Sequence, residues 1–160
     1  MSKLSASQHK ILIIDDNEKI LALMKDIFSS KNDKVITKQS GAEGLECIKE
    51  KDFVSVVISD FQMKGMTGLE FLQQVKALSP ITKRCLCSGS FDKKTLKKKV
   101  QDKEIDAFMM KPVNFAKMLT TIDTFVENLG EKIILLPLTE PTETGDYIQD
   151  YKNKKEKFRG

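Results

Sequence analysis

The sequence has one histidine, three cysteines and four prolines among 160 residues, and no apolar run approaches a membrane span. His9 has no accompanying catalytic motif, which argues against a histidine-dependent hydrolase. Cys85 and Cys87 lie two residues apart inside an apolar run, unlike zinc ligands, and with Cys47 they are predicted to be small buried side chains. The N-terminal segment also lacks the apolar core of a signal peptide. We therefore expect a cytoplasmic protein without membrane contact.

The length suits one domain with a short extension, and no glycine-rich nucleotide-binding loop is present. Lysine and arginine number 27 against 23 aspartates and glutamates, a net charge of +4 that permits binding to nucleic acid or to acidic partners. The excess is local, because residues 93–103 hold six lysines and one aspartate, a net charge of +5. Such a run is either a solvated helix face or a docking surface.

Apolar periodicity predicts five strand–helix units. The predicted strands are short, mostly apolar runs at 11–14, 34–37, 53–58, 84–87 and 107–110, the third of them rich in Val and Ile. A capping residue precedes each predicted helix, namely Asn17, Ser40, Thr67, Asp92 and Asn114. Ser40 and Thr67 are each predicted to open a capping box, and the third helix is expected to bury an apolar face that includes Leu78. The alternation predicts an α/β fold with a doubly wound five-stranded parallel sheet. In the strand order 2-1-3-4-5, the second strand, which ends without a reactive group, would lie at an edge of this sheet.

Reactive side chains follow four of the five predicted strands. The first strand ends in Asp15 and Asp16, the third in Asp60, the fourth in Ser88 and the fifth in Lys111. Because the carboxyl ends of parallel strands meet at one edge of a sheet, we expect these groups to form one site. Three adjacent carboxylates require a proton or a cation, and Mg²⁺ favours carboxylate and phosphate oxygens. The set predicts a phosphoryl-transfer site with Asp60 as the nucleophile.

Four fragments also share their order and spacing with a known family. They are Ile11 to Asn17, Ser59 to Gly68, Ser88-Gly89 and Phe108 to Pro112. On these fragments, residues 9–129 resemble a response-regulator receiver domain of two-component signalling. The resemblance implies a flavodoxin-like fold and a phosphoacceptor switch, which is not an enzyme beyond catalysing its own phosphorylation and dephosphorylation. Residues 130–160 are too few for an output domain, so we expect a stand-alone receiver with a C-terminal extension or linker there.

The resemblance implies a role for each acidic residue of the site. Asp60 would accept a phosphoryl group from a phosphohistidine of a sensor histidine kinase or a phosphotransfer protein. The implied cofactor is Mg²⁺, bound directly by Asp16 and Asp60 and largely through water by Asp15. The main-chain carbonyl of Gln62 would be a further ligand.

The resemblance also assigns the groups around the phosphate. Ser88 and Lys111 would each bind a phosphoryl oxygen. Phe108 matches an aromatic switch position, whose ring turns inward when the residue at position 88 moves toward the phosphate. Gln62 and Ser90 occupy the two variable positions that flank the phosphate and tune its removal by water.

Two sites depart from the family pattern, and one peptide bond is expected to follow it. Lys64 stands where proline is usual, and Glu104-Ile105 stands where a Gly-Ala pair is usual, so the turn before the fifth strand is expected to differ. The bond between Lys111 and Pro112 is expected to be cis, as is common in the family.

The output face is expected to consist of the fourth helix, the fifth strand and the fifth helix. Lys93, Lys94, Lys97 and Lys98 form its candidate partner surface, for an acidic protein or for a second copy of this chain in a homodimer. Two alternatives remain. One is a receiver-fold adaptor that works without phosphorylation, motivated by Lys64 and by the C-terminal extension. The other is nucleic-acid binding through the lysine-rich helix, which the absence of aromatic residues among the lysines disfavours.

Overall fold

The computed structural model describes residues 9–29, 34–50 and 52–128. In these ranges five strands alternate with five helices: β1 (Lys10–Ile14), α1 (Glu18–Ser29), β2 (Lys34–Lys38), α2 (Gly41–Lys49), β3 (Val56–Asp60), α3 (Gly68–Leu78), β4 (Lys83–Ser88), α4 (Lys93–Gln101), β5 (Ala107–Met110) and α5 (Phe115–Asn128). The expected extension at 130–160 lies outside the described residues.

All strands pair in parallel, and their order is β2-β1-β3-β4-β5, which confirms the predicted topology. The central strands β1 and β3 are buried along their whole length, as continuous apolar runs in a two-sided parallel sheet require. The edge strand β2 is partly exposed. Among the described residues, no helix combines the length and the apolar character needed to cross a bilayer.

Successive side chains along each strand point to opposite faces of the sheet and enter two separate cores. On one face, Ile11 and Ile13 of β1 pack in a cluster that includes Phe28 of α1 and Met118 of α5. On the other face, Leu12 and Ile14 join a cluster built with side chains of α2, α3 and α4, with Phe71 fully buried. Cys47, Cys85 and Cys87 are buried and free, as predicted.

The predicted caps are confirmed at all five helices. Side-chain oxygens of Asn17, Ser40, Thr67, Asp92 and Asn114 each accept a backbone N–H from the first turn that follows. The box at Thr67 is complete, because the Glu70 carboxylate accepts the Thr67 N–H. The box predicted at Ser40 is wrong in one respect, since Glu43 accepts the N–H of Gln39 and not that of Ser40.

Two predictions about the third unit are wrong. β3 covers Val56–Asp60 and not 53–58, because its pairing with β1 begins only where Val56 lies beside Ile11. Phe53 therefore precedes the strand and is exposed. Leu78 is also exposed, since α3 ends there, beyond the part of the helix that the sheet covers.

Candidate functional site

The predicted reactive residues lie together at the carboxyl edge of the sheet, the edge where its parallel strands end. Asp15 directly follows β1, Asp60 is the last residue of β3, Ser88 is the last residue of β4, and Lys111 directly follows β5. The sheet register places Asp60 beside Cys87, one residue before Ser88. The sequence-based prediction of one site from four strands agrees with this placement.

Three carboxylates form the acidic part of the site. Asp15, Asp16 and Asp60 can each offer an oxygen such that all three lie within 4.8 Å of one another. Asp15 and Asp60 are each only 7% exposed, whereas Asp16 is open to solvent. Oxygen ligands at this spacing suit a divalent cation such as Mg²⁺, which prefers carboxylates and retained waters.

Burial raises the pKa of Asp15 above its ordinary value. The N–H of Asn17, which donates to Asp15 Oδ1 at 2.9 Å, works against the rise, while the negative charges of Asp60 and Asp16 add to it. The positive charge of Lys111 also opposes the rise, but the pKa of Asp15 stays raised overall, so ionisation of Asp15 is less favourable in the folded chain.

A lysine stands against the acidic cluster. Lys111 Nζ lies 2.6 Å from Asp60 Oδ1. Partial burial lowers the pKa of Lys111, but the hydrogen bond to Asp60 and the charges of Asp60 and Asp15 outweigh it and raise the pKa overall. Lys111 is therefore a stable positive charge beside Asp60. The peptide bond to Pro112 is cis, in agreement with the family pattern.

Ser88 is buried at the end of β4, with its hydroxyl oxygen accepting the N–H of Ser90 at 3.0 Å. Its main-chain carbonyl accepts the N–H of Lys111 at 3.0 Å, so the end of β4 directly positions Lys111, the first residue after β5. A hydroxyl that accepts one bond still carries a hydrogen that it can donate. Gln62 and Ser90 are both exposed, in the loops that follow β3 and β4.

Phe108 is buried beneath this edge, in the core cluster that also contains Leu86, Leu96 and Ile105. Its ring belongs to the α4 side of the sheet. Lys64 is exposed and lines an open groove of about 720 Å³ together with Asp16 and Glu43. Lys64 is thus a surface cation beside the acidic cluster.

The sequence reasoning missed three features of the site. Gly68 lies so close to the end of β3 that a Cβ there would overlap the main-chain oxygen of Asp60. The rings of Phe61 and Phe91, from the loops after β3 and β4, meet edge to face at 4.6 Å between centroids. A largely apolar cavity of about 280 Å³ adjoins Asp60 and Lys111, between the sheet, α1 and α5. A glycine directly after the Thr67 cap was the only signal for the first feature, and the other two depend on long-range packing.

The candidate partner surface lies on α4. Lys93, Lys94 and Lys98 are exposed, and Lys97 is partly buried. Lys98 also pairs with Asp102 across one helical turn, with 3.3 Å between charged atoms.

Comparison with known proteins adds the deciding observation. Residues 11–123 match the family described as the response regulator receiver domain. The chain belongs to this family. Receiver domains are phosphoacceptor switches that interact with histidine kinases or phosphotransfer proteins and with downstream targets, typically with Mg²⁺ at an acidic pocket. The resemblance inferred from the four sequence fragments is thereby confirmed.

Similar curated proteins include a transcriptional regulatory protein, YesN, of Bacillus subtilis, 32% identical over 124 residues, which are 76% of this chain and 33% of that protein. A two-component response regulator of Oryza sativa is 30% identical over 104 residues, covering 64% of this chain and 71% of the relative. This receiver chain spans a third or less of the length of the bacterial transcriptional regulators that it matches.

Solved structures show the same fold. A CheY-like receiver protein from Methanospirillum hungatei superimposes with a TM-score of 0.71 at 28% identity, covering 79% of this chain and all of that one. A chain described as adenylate cyclase from Rhodopirellula baltica gives a TM-score of 0.71 at 30% identity, covering 76% of this chain and 90% of that one.

Proposed function

We propose that Asp60 accepts a phosphoryl group from a phosphohistidine of a sensor kinase or phosphotransfer protein, and that the modified receiver changes its protein contacts. The observation that carries the proposal is the 2.6 Å contact between Asp60 Oδ1 and Lys111 Nζ at the centre of a three-carboxylate cluster. In the transfer, an Asp60 carboxylate oxygen forms a bond to phosphorus while the phosphorus–nitrogen bond breaks. The histidine nitrogen leaves with the electron pair of that bond.

Asp15, Asp16 and Asp60, with the main-chain carbonyl of Gln62, would hold Mg²⁺. When bound, the ion neutralises the cluster and the phosphoryl oxygens that approach it. Asp15 supports this assignment, because burial raises the pKa of its carboxyl and the charges of Asp60 and Asp16 add to the rise, both of which a bound cation would oppose. Asp16 is solvent-exposed and so leaves the cation side of the site open to exchange with water.

Lys111 and Ser88 would bind two of the phosphoryl oxygens. Lys111 carries a fixed charge already at contact distance from Asp60, and Ser88 is held by its bond from Ser90 with a hydroxyl hydrogen left to donate. Phe108, the proposed switch residue, is already buried, and movement of Ser88 toward the phosphate would change the space around its ring. Gln62 and Ser90 would flank the phosphoryl group and tune its hydrolysis.

The output would pass through α4, β5 and α5, with Lys93, Lys94, Lys97 and Lys98 facing the partner. An acidic protein surface is the favoured occupant, and a homodimer across the same face is the other. In this proposal residues 9–129 are the receiver domain and 130–160 an extension or linker, which lies outside the described residues. We also retain the expectation that the protein acts in the cytoplasm.

The direct test is labelling by acetyl phosphate in the presence of Mg²⁺. We expect the unmodified chain to gain one acid-stable, base-labile phosphoryl group by intact mass, and Asp60→Asn to gain none. Asp52→Asn is the matched control, since Asp52 is an exposed aspartate before β3, at the opposite edge of the sheet. Equal labelling of Asp60→Asn, or no labelling of the unmodified chain, would contradict the proposal.

The same variants separate the switch from a phosphorylation-independent adaptor. A partner recovered equally by the unmodified chain and by Asp60→Ala, with and without acetyl phosphate, would favour the adaptor. Nucleic-acid binding through α4 would instead show a steep loss of affinity with added salt.

A further inference from the structure

Three large apolar side chains are exposed at the amino edge of the sheet, the edge opposite to Asp60. Phe53 precedes β3, Leu78 ends α3, and Ile81 precedes β4, with exposed fractions of 48%, 50% and 67%. We call these three residues the basal patch. Leu23, on α1, is the other strongly exposed large apolar residue of the described ranges.

Hydrogen bonds join the chain neighbours of the three patch residues. The Thr82 hydroxyl donates to the Val54 carbonyl at 2.7 Å, and the hydroxyls of Ser79 and Thr82 lie 2.7 Å apart. Lys83 N–H donates to the Ser55 carbonyl at 3.0 Å. Since Val54, Ser79 and Thr82 directly follow the patch residues, Phe53, Leu78 and Ile81 start from one small region of the amino edge. Exposed apolar side chains grouped in one region are more informative than scattered ones.

The part of the chain that follows α5 starts near the basal patch. In a parallel α/β sheet each strand runs to the carboxyl edge and each helix returns, so α5 ends at the amino edge. Lys83 Nζ lies 5.9 Å from the centroid of the Phe125 ring, which brings the end of α5 close to the residues that follow Ile81. The described chain stops at Asn128.

The segment Ile133–Leu138 has the sequence Ile-Ile-Leu-Leu-Pro-Leu and begins five residues after Asn128. Five residues of chain reach about 17 Å when extended. The segment can therefore extend along the amino edge of the sheet, where the basal patch lies. Its proline lacks an N–H, so contact through side chains suits it better than a strand or helix that requires every donor.

We propose that Ile133–Leu138 packs against the basal patch and covers Phe53, Leu78 and Ile81. This contact would tie the extension to the end of the receiver farthest from the phosphorylation site. It would also set the direction in which residues 139–160 leave the domain. The proposal does not depend on phosphorylation of Asp60.

Hydrogen–deuterium exchange of the full chain tests the contact. We expect amides of residues 133–138 to exchange at least tenfold more slowly than an unstructured peptide of the same sequence, and Ile81→Asp to remove that protection. Leu23→Asp is the matched control, because Leu23 is similarly exposed on a different surface. Exchange in β1 and α3 reports whether each variant remains folded.

Leu135→Asp provides a second route that leaves the receiver core untouched. It is expected to release residues 133–138 and to expose the patch, seen as increased binding of an apolar dye. Unprotected residues 133–138 in the unmodified chain would overturn the proposal, as would protection that Ile81→Asp leaves intact or that Leu23→Asp removes equally. Protection that rises with protein concentration would assign the patch to a second copy and would also overturn it.

Discussion

Gly68 begins α3 directly beside the last residue of β3. Its N–H donates to the Phe61 carbonyl at 2.9 Å, and a Cβ at this position would overlap the Asp60 carbonyl oxygen and lie 2.9 Å from the Cα of Phe61. Both obstacles are backbone atoms, which cannot rotate away as a side chain can. The absence of a side chain at Gly68 therefore allows the helix to start within contact of the proposed phosphoacceptor.

We expect Gly68→Ala to destabilise the protein by about 2 kcal/mol, because overpacked positions must shift the backbone. The same shift is expected to lower labelling of Asp60 by acetyl phosphate. Urea unfolding measures the first effect and intact mass the second. Gly89→Ala is the control, since its Cβ would meet Lys111 Cβ at an ordinary 3.5 Å. Equal unfolding midpoints for the two variants would show that the start of α3 can accommodate a Cβ at position 68, which would contradict the prediction.

At the scale of elements, an ion pair joins β4 to the turn between α4 and β5. Arg84 is buried in β4, and its guanidinium lies 3.5 Å from Asp106 and donates to the carbonyls of Lys103 and Glu104. Asp106 also accepts the Arg84 N–H at 2.8 Å. Lys103 has a φ of 62°, a left-handed conformation that few residues with a side chain adopt. The turn at the unusual Glu104-Ile105 pair thus depends on a residue from a different strand.

We expect Asp106→Ala to cost about 3 kcal/mol, because it leaves the Arg84 charge buried without its carboxylate. Combining it with Arg84→Met should recover part of that loss, since the unpaired charge is then gone. Glu46→Ala is the control, because the Glu46–Lys49 pair is largely solvent-exposed and is expected to contribute under about 0.5 kcal/mol. Chemical denaturation gives the free energy of unfolding of the unmodified chain, the two Asp106→Ala proteins and the control. A loss of stability in Asp106→Ala no larger than that in Glu46→Ala would refute the role of the pair.

At the scale of the whole molecule, charge is separated between two surfaces. The carboxyl edge holds the three carboxylates, and α4 holds the exposed lysines. Because the pKa of Asp15 is raised by burial, the folded chain binds that proton more tightly than the unfolded chain. Without metal, the contribution of Asp15 to stability is thus fully present below its unfolded pKa and is lost as the pH rises through its higher folded pKa.

Mg²⁺ should reverse this effect, because it binds the ionised carboxylates. We expect the ion to raise the melting temperature more at pH 7 than at pH 4, with a gain of about 2.7 kcal/mol at a hundredfold excess over its dissociation constant. Asp15→Asn should stabilise the metal-free protein at pH 7 and reduce the gain from Mg²⁺. Thermal melts with Mg²⁺ or with a chelator measure both, and Asp52→Asn should behave as the unmodified chain. A gain in stability from Mg²⁺ that is independent of pH, or that Asp15→Asn leaves unchanged, would show that Asp15 does not bind the ion.

Much of the site could be predicted because its residues follow strands. Ile11–Ile14 and Ala107–Met110 are local apolar signals, and a parallel sheet brings whatever follows them to one edge. The capping residues were equally predictable, since a cap bonds within its own first helical turn. Phe53 was misassigned because strand boundaries depend on where a partner strand begins.

The sequence alone therefore determined the order of elements along the chain, the parallel sheet and the convergence of Asp15, Asp60, Ser88 and Lys111, because these follow from local periodicity and a general rule of chain connection. Only the tertiary structure decided the close approach at Gly68, the Arg84–Asp106 pair, the Phe61–Phe91 contact and the exposure of the basal patch. Each of these joins residues from different elements. Their distances are set by how helices pack on the sheet, which no spacing along the chain encodes.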